Sequence, residues 1–254
     1  MTVLVGVRCV DGVVIGSDSI ATSSMGQFPL IQMKFDGKIQ VFKNQVIVAT
    51  TGAVGFAQRL HEHIDGAMNG GVFNNFAVRE CTTNISKRFL TDLTSSLASQ
   101  HPQEGIRFGA LVAGCAKSEL FLAEFGTSDF QPEIKTEKLF FVSMGSGQVL
   151  ADPFLAFVSK VIWKDKMPNV DEAKFGVYWV LDHTIKFAPG RVGPPIRLAT
   201  LRKTGKDWIA AEQDTQEFAQ YVVELEDHIR RFIRAPIEEA VPTPLPKVFM
   251  PSDQ

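Results

Sequence analysis

Met1-Thr2-Val3-Leu4-Val5-Gly6-Val7-Arg8-Cys9-Val10-Asp11-Gly12-Val13-Val14-Ile15-Gly16-Ser17-Asp18 opens the chain. Residues 2–10 and 12–17 are apolar and rich in β-branched side chains. They meet across Asp11-Gly12, a pair favoured in type I′ turns, so the stretch predicts an antiparallel hairpin. Nearly every position of both strands is apolar, so both faces should be buried. A sheet covered on both faces needs a layer on each side.

The remaining chain supplies those layers. A second hairpin is expected from residues 38–42 and 46–50 around Lys43-Asn44-Gln45, after a loop over residues 20–30 that contains Gly26 and Pro29. Beyond Thr51-Gly52 the period changes. Ala53, Ala57, Leu60, Ile64 and Ala67 fall on one helical stripe, which Asn69-Gly70-Gly71 ends. A second helix follows over residues 76–98. Strands resume at 107–116, 119–125 and 137–144. Asp152-Pro153 reads as an N-cap followed by a first-turn proline, and a further helix spans 171–187. Closing strands are expected at 196–201 and 207–211. Asp214 begins an amphipathic helix with Phe218, Tyr221, Val222, Leu225, Ile229 and Phe232 on one stripe. Strand runs alternate with helix pairs, and βαβ units are absent. The expected fold class is therefore α+β, a four-layer αββα sandwich of two packed antiparallel sheets with outer helices. Residues 1–234 are expected to form one domain. Residues 235–254 carry five prolines and should form a separate tail.

Composition narrows the chemistry. The chain has 254 residues, enough for one large domain. Its net charge of −2 offers no field for nucleic acid. No apolar run is long enough to span a membrane, and no basic-then-apolar leader is present, so a cytoplasmic protein without membrane contact is expected. The three cysteines, Cys9, Cys81 and Cys115, have unrelated spacings and read as small buried hydrophobes. His61-Glu62-His63 places its histidines two apart on a helix, on different faces, so no metal site is expected. The basic stretch from His228 to Arg234 needs only the helix C-terminus to explain it. No metal or organic cofactor is expected.

Thr2 carries a different possibility. Once Met1 is removed, one residue holds both a hydroxyl nucleophile and an α-amine with a pKa of roughly 7.7–8.0. Asp18 follows sixteen residues later, after the second strand, and Lys34 sixteen beyond that. With Gly16-Ser17-Asp18-Ser19-Ile20-Ala21-Thr22, this double spacing resembles the proteasome β-subunit family of N-terminal-nucleophile hydrolases. The segment from Leu181 to Pro195 looks closer to that family's bacterial side branches, the ancestral β-subunit (Anbu) proteins and the betaproteobacterial homologue, without choosing between them.

The resemblance implies a threonine-type endopeptidase. Thr2 would be the nucleophile, Lys34 would lie beneath its hydroxyl, Asp18 would pair with Lys34, and the Gly52 N–H would face the oxyanion. Ser146, in Gly145-Ser146-Gly147, would stand near the amine. Ala21 and Thr22 would pair with the substrate backbone, and Ala21, Gln32, Asp36, Thr50 and Val54 would line a small, partly polar pocket. One departure stands out. Where the family has an Asp and a Ser near the amine, this chain has Pro189 and Val192. The implied partners are peptides or unfolded proteins and further copies of the chain, in rings or a helical assembly, with any unfoldase unspecified. The alternatives are a catalytically silent ring or scaffold subunit, and a small-molecule amidase using the same nucleophile.

Overall fold

The computed structural model describes residues 2–25, 28–97, 108–188 and 192–234. The side chains of 22–25, 28–32 and 96–97 lie outside the described set, as does the proline-rich stretch 235–254. The chain divides into two compact units, Met1–Gln213 and Asp214–Gln254. The final helix thus falls outside the main unit to which its sequence pattern had joined it.

The opening hairpin forms as expected. β1 (Leu4–Arg8) pairs antiparallel with β2 (Gly12–Ser17), Leu4 opposite Ser17. Residues 20–30 were expected to be a loop. Instead β3 (Ile20–Met25) and β4 (Phe28–Lys34) form a two-stranded ribbon, irregular at Ser23/Ser24. Ser24 there faces Pro29, which has no N–H to give to the ladder. The polar composition hid these strands, because neither carries a clean apolar alternation. A 3-10 turn over Asp36–Lys38 leads into β5 (Ile39–Phe42) and β6 (Val46–Thr51).

The helices α1 (Val54–Asn69), α2 (Val72–Asn75) and α3 (Val78–Leu97) follow. Then come β7 (Gly109–Ala116), β8 (Glu119–Phe125), β9 (Pro132–Ile134) and β10 (Phe141–Met144). The strand expected at 137–144 is confined to its last four residues. α4 spans Gln148–Val161, with Pro153 inside it rather than at its start. Asp152 does not cap this helix. Its carboxylate accepts from Ser143 Oγ at 2.5 Å and from Gln148 Nε2 at 3.0 Å. α5 (Val170–Phe187) starts from a capping box between Asn169 and Glu172, which satisfies two end donors reciprocally. β11 (Arg197–Thr204) and β12 (Asp207–Gln213) close the unit.

The strands make two five-stranded antiparallel sheets, in the orders β10-β1-β2-β11-β12 and β5-β6-β7-β8-β9, beside the ribbon. One core cluster takes side chains from both sheets, among them Leu4, Ile15 and Leu201 with Ile39, Ile47 and Leu111. A second cluster joins α1, α2 and α3 to the β5–β9 sheet through Leu60, Ile64, Phe73, Phe89, Phe108 and Phe130. The rings of Phe89 and Phe130 lie 4.4 Å apart. Each such side chain contributes about 1.5–3 kcal/mol on burial. α5 seats on β2 at Gly16, where a Cβ would come within 2.7 Å of Val177 and Leu181 side chains. Among the described residues no helix is long and apolar enough to cross a membrane.

α6 (Gln216–Arg234) belongs to the second unit. Its first turn is held by Asp214, whose carboxylate accepts from Gln216 N at 3.0 Å. Gln220–Glu224 and Arg230–Asp227 side-chain pairs run along it, at helical spacings of four and three.

Candidate active site

Thr2 sits just before β1, almost fully buried at 7% exposure. Its backbone nitrogen donates to Ser146 Oγ at 3.1 Å, and its carbonyl accepts from Gly147 N at 3.1 Å. Ser146 reaches it from the turn between β10 and α4. That turn needs glycine: Gly145 has φ of 93°, and a Cβ there would stand 2.3 Å from the Thr2 carbonyl oxygen.

Asp18 is fully buried, immediately after β2. Oδ1 accepts from Val3 N at 3.0 Å and from Lys38 Nζ at 2.6 Å. Oδ2 accepts from Ile20 N and Gly193 N, each at 3.2 Å. The carboxylate thereby ties together the start of β1, the entry to the ribbon, the turn before β5 and the approach to β11. A buried charge is tolerable only with such partners.

The lysine differs from the one expected. Lys34 lies at the exposed end of β4, opposite Ile20 in the ribbon. Lys38, twenty residues beyond Asp18, is the buried partner, only 4% exposed. The chain leaves the ribbon through the Phe35 N to Ser19 O bond of 2.9 Å and turns at Asp36-Gly37, which swings the next side chain inward. The sixteen-residue interval from Asp18 therefore ends one turn too early. Burial pushes the Lys38 ammonium below its ordinary value, and the charge and hydrogen bond of Asp18 oppose that shift.

A cavity of about 80 Å³ opens beside Thr2, lined by Ala21, Phe35, Lys38, Thr50, Gly52, Val54 and Ala57. Gly52 lies between β6 and α1 with φ of 112°, next to the helix N-terminus and its favourable dipole. Of the five side chains expected to line a pocket, Ala21, Thr50 and Val54 do so. Asp36 does not: it faces solvent and pairs with Arg197 at 3.6 Å. Thr22 and Gln32 oppose each other across the ribbon, but their side chains lie outside the described residues. Pro189 is also outside them, and Val192 is buried. Lys38 and Phe35 escaped the sequence reading, and Ala57 was read only as part of a helix stripe, not as cavity lining. The signal for Lys38 was Asp36-Gly37, a turn pair just before β5, whose first residue Ile39 is buried.

Comparison with solved structures places the fold. An Anbu Gly-1 mutant from Hyphomicrobium sp. strain MC1 superposes with a TM-score of 0.71 at 15% identity, over 95% of this chain and all of that one. The fold is that of the Anbu proteins. Anbu, the ancestral beta-subunit, from Yersinia bercovieri gives 0.69 at 15% identity, covering 92% of this chain and 98% of its own. Anbu from Pseudomonas aeruginosa, solved as a helical assembly, gives 0.66 at 16% identity, covering 93% and 99%. No family model matches the sequence, and no curated protein does. At these identities the Anbu likeness is one of fold.

Proposed function

We propose that the chain is a proteasome-like threonine peptidase, acting once Thr2 is the first residue. The observation that carries this reading is the convergence of four elements. Ser146 stands 3.1 Å from the Thr2 nitrogen, Lys38 is held by Asp18, and Lys38 and Gly52 line the same small cavity as Thr2. Thr2 Oγ attacks the peptide carbonyl while the α-amine, directly or through water, takes its proton. The amine portion of the substrate leaves with that proton, and an ester to Thr2 remains. Water then cleaves the ester and restores the hydroxyl. The buried Lys38 ammonium favours the developing alkoxide, and the Gly52 N–H serves the oxyanion. Ser146 orients the amine in place of the missing Asp and Ser. The cavity is roughly half the ~150 Å³ that accommodates benzene, which favours a small side chain over an aromatic one.

The four-layer αββα arrangement, assembly with further copies around an enclosed space, and a cytoplasmic setting belong to the same proposal. A silent scaffold subunit is the second reading, favoured by apolar Val192 where the family places a polar group. The test is N-terminal mass analysis together with labelling by a peptide epoxyketone or β-lactone. A Thr2 start with a covalent adduct on Thr2 supports the peptidase. A Thr2 start that neither labels nor cleaves fluorogenic peptides supports the scaffold.

A further inference from the structure

A second, larger cavity lies at the other end of β6. Thr50 borders the Thr2 site, whereas Gln45 and Val46 border this one, four to five residues or about 14–17 Å away along the strand. Its volume is about 320 Å³, within the range of small-molecule sites. Three turns from the two sheets meet here beside α2, the first of them the β5–β6 turn with Gln45. The β7–β8 turn brings Lys117 and Ser118, the β11–β12 turn brings Lys203, Lys206 and Asp207, and α2 brings Asn74.

The charge is the first unusual feature. Three ammonium groups face one carboxylate, a local excess of two positive charges in a chain whose net charge is −2. Among the described residues, none of the three lysines is engaged in an ion pair. Like charges gathered without a counter-charge repel one another, and an anion between them relieves that repulsion. The second feature is a fixed frame. Lys117 N donates to Phe73 O at 2.9 Å, and Ala210 N donates to Asn44 O at 2.7 Å, joining one sheet's edge to the other's turn. Phe73 stacks on Phe121, and the half-buried Trp208 forms a flat wall.

The donor chemistry narrows the ligand. No arginine lines the cavity, so the planar fork that suits carboxylates is missing. Three point charges approaching from separate turns suit a tetrahedral oxyanion, with Ser118 and Asn74 as further donors. We propose that this cavity binds a small molecule carrying a phosphate or diphosphate group. The inference is independent of the peptidase reading, because no residue is shared between the two cavities.

The test is calorimetry on the full chain with pyrophosphate, inorganic phosphate and succinate as probes, read in parallel by the tryptophan fluorescence change that a Trp208→Phe variant loses. The expected result is saturable one-to-one binding of pyrophosphate that weakens with added salt. Lys203→Gln and Lys206→Gln should each cost about tenfold in affinity. Lys160→Gln, on α4, should leave it unchanged. These lysines are exposed, so the variants should fold normally. Pyrophosphate that never saturates, a Lys117→Gln/Lys203→Gln/Lys206→Gln protein that binds as well as the parent, or succinate binding as tightly would each overturn the proposal.

Discussion

Lys38 and Lys135 are both taken out of water, at 4% and 3% exposure, and both meet a carboxylate at 2.6 Å. Their settings differ. Lys135 sits between Glu124 and Glu133, each at 2.6 Å, and its own carbonyl accepts from Arg8 Nη1 at 2.6 Å. Both glutamates keep contact with solvent, at 23% and 54% exposure. Lys38 meets a carboxylate sealed from solvent and already gripped by three backbone N–H groups. It also borders the cavity that Thr2 borders. A buried ion pair is therefore poor evidence of function by itself. What separates the two lysines is that Lys38 opens onto the cavity Thr2 borders, where the proposed nucleophile would meet a substrate.

The largest effects should fall on the Lys38 side of this contrast. In protein that begins at Thr2, Thr2→Ala should lower peptide hydrolysis by more than about 10³-fold, since the attacking atom is gone. Lys38→Met should lower it by roughly 10²–10³-fold through lost charge stabilisation. Fluorogenic-peptide kinetics on folded protein measure both. Lys38→Met also strands the Asp18 charge, so it should cost about 3–5 kcal/mol in denaturant unfolding. Adding Asp18→Asn removes the stranded charge but leaves an amide nitrogen facing backbone N–H donors, so it should recover only part of that stability and none of the activity, which separates the chemical role from the structural one. Lys34→Ala should leave activity unchanged. Activity lost there and retained in Lys38→Met would reverse the assignment.

That reversal matters because the sequence alone pointed to Lys34. The opening hairpin, the helix stripes and most strands of the two main sheets were legible, since apolar periodicity is a local property and burial enforces it, whereas β3, β4 and β9 were not. Ser146 and Gly52 were named through the family resemblance, and both border the Thr2 region, Ser146 by its bond to the Thr2 nitrogen and Gly52 by lining the cavity. The lysine could not be counted out by interval alone, because the interval crosses the ribbon. The reach of that ribbon depends on strand pairing between Ile20–Met25 and Phe28–Lys34, a non-local fact. Asp36 was misplaced for the same reason: its side chain turns outward to Arg197 where the chain reverses. Pro153 shows the converse limit. Asp-Pro carries a strong local signal for a helix start, but Ser143 takes up the Asp152 carboxylate and the helix begins earlier.

On the other side of the contrast, Lys135→Ala should be mild. Glu124 and Glu133 can rehydrate where Asp18 cannot, so the expected loss is about 1–2 kcal/mol of unfolding free energy. Peptidase activity should stay within about threefold of the parent, a change near the limit of what a remote substitution produces. An activity loss matching that of Lys38→Met would show that the Lys135 cluster holds the site as firmly as Asp18 does.

The smallest expected effect concerns a half-buried base with no carboxylate partner. His61 lies beside Phe42, ring centres 5.4 Å apart, and its Nε2 has no hydrogen-bond partner among the described residues. Burial pulls its pKa down to about 4 from the ordinary value of 6.5. The folded chain thus keeps His61 neutral where the unfolded chain takes a proton. The resulting stabilisation is present above pH 6.5 and is lost as pH falls through 6.5 toward 4. At about 1.36 kcal/mol per pH unit the ceiling is near 3 kcal/mol, and partial solvent access brings the expected loss to about 1–2 kcal/mol. Urea midpoints from pH 7 to 4.5 should therefore fall more steeply for the parent than for His61→Gln. Lys38 owes its tolerable burial to Asp18, whereas His61 achieves the same end by giving up its charge. Parallel pH profiles for the two proteins would mean that the His61 ring is solvated and charges like any surface histidine.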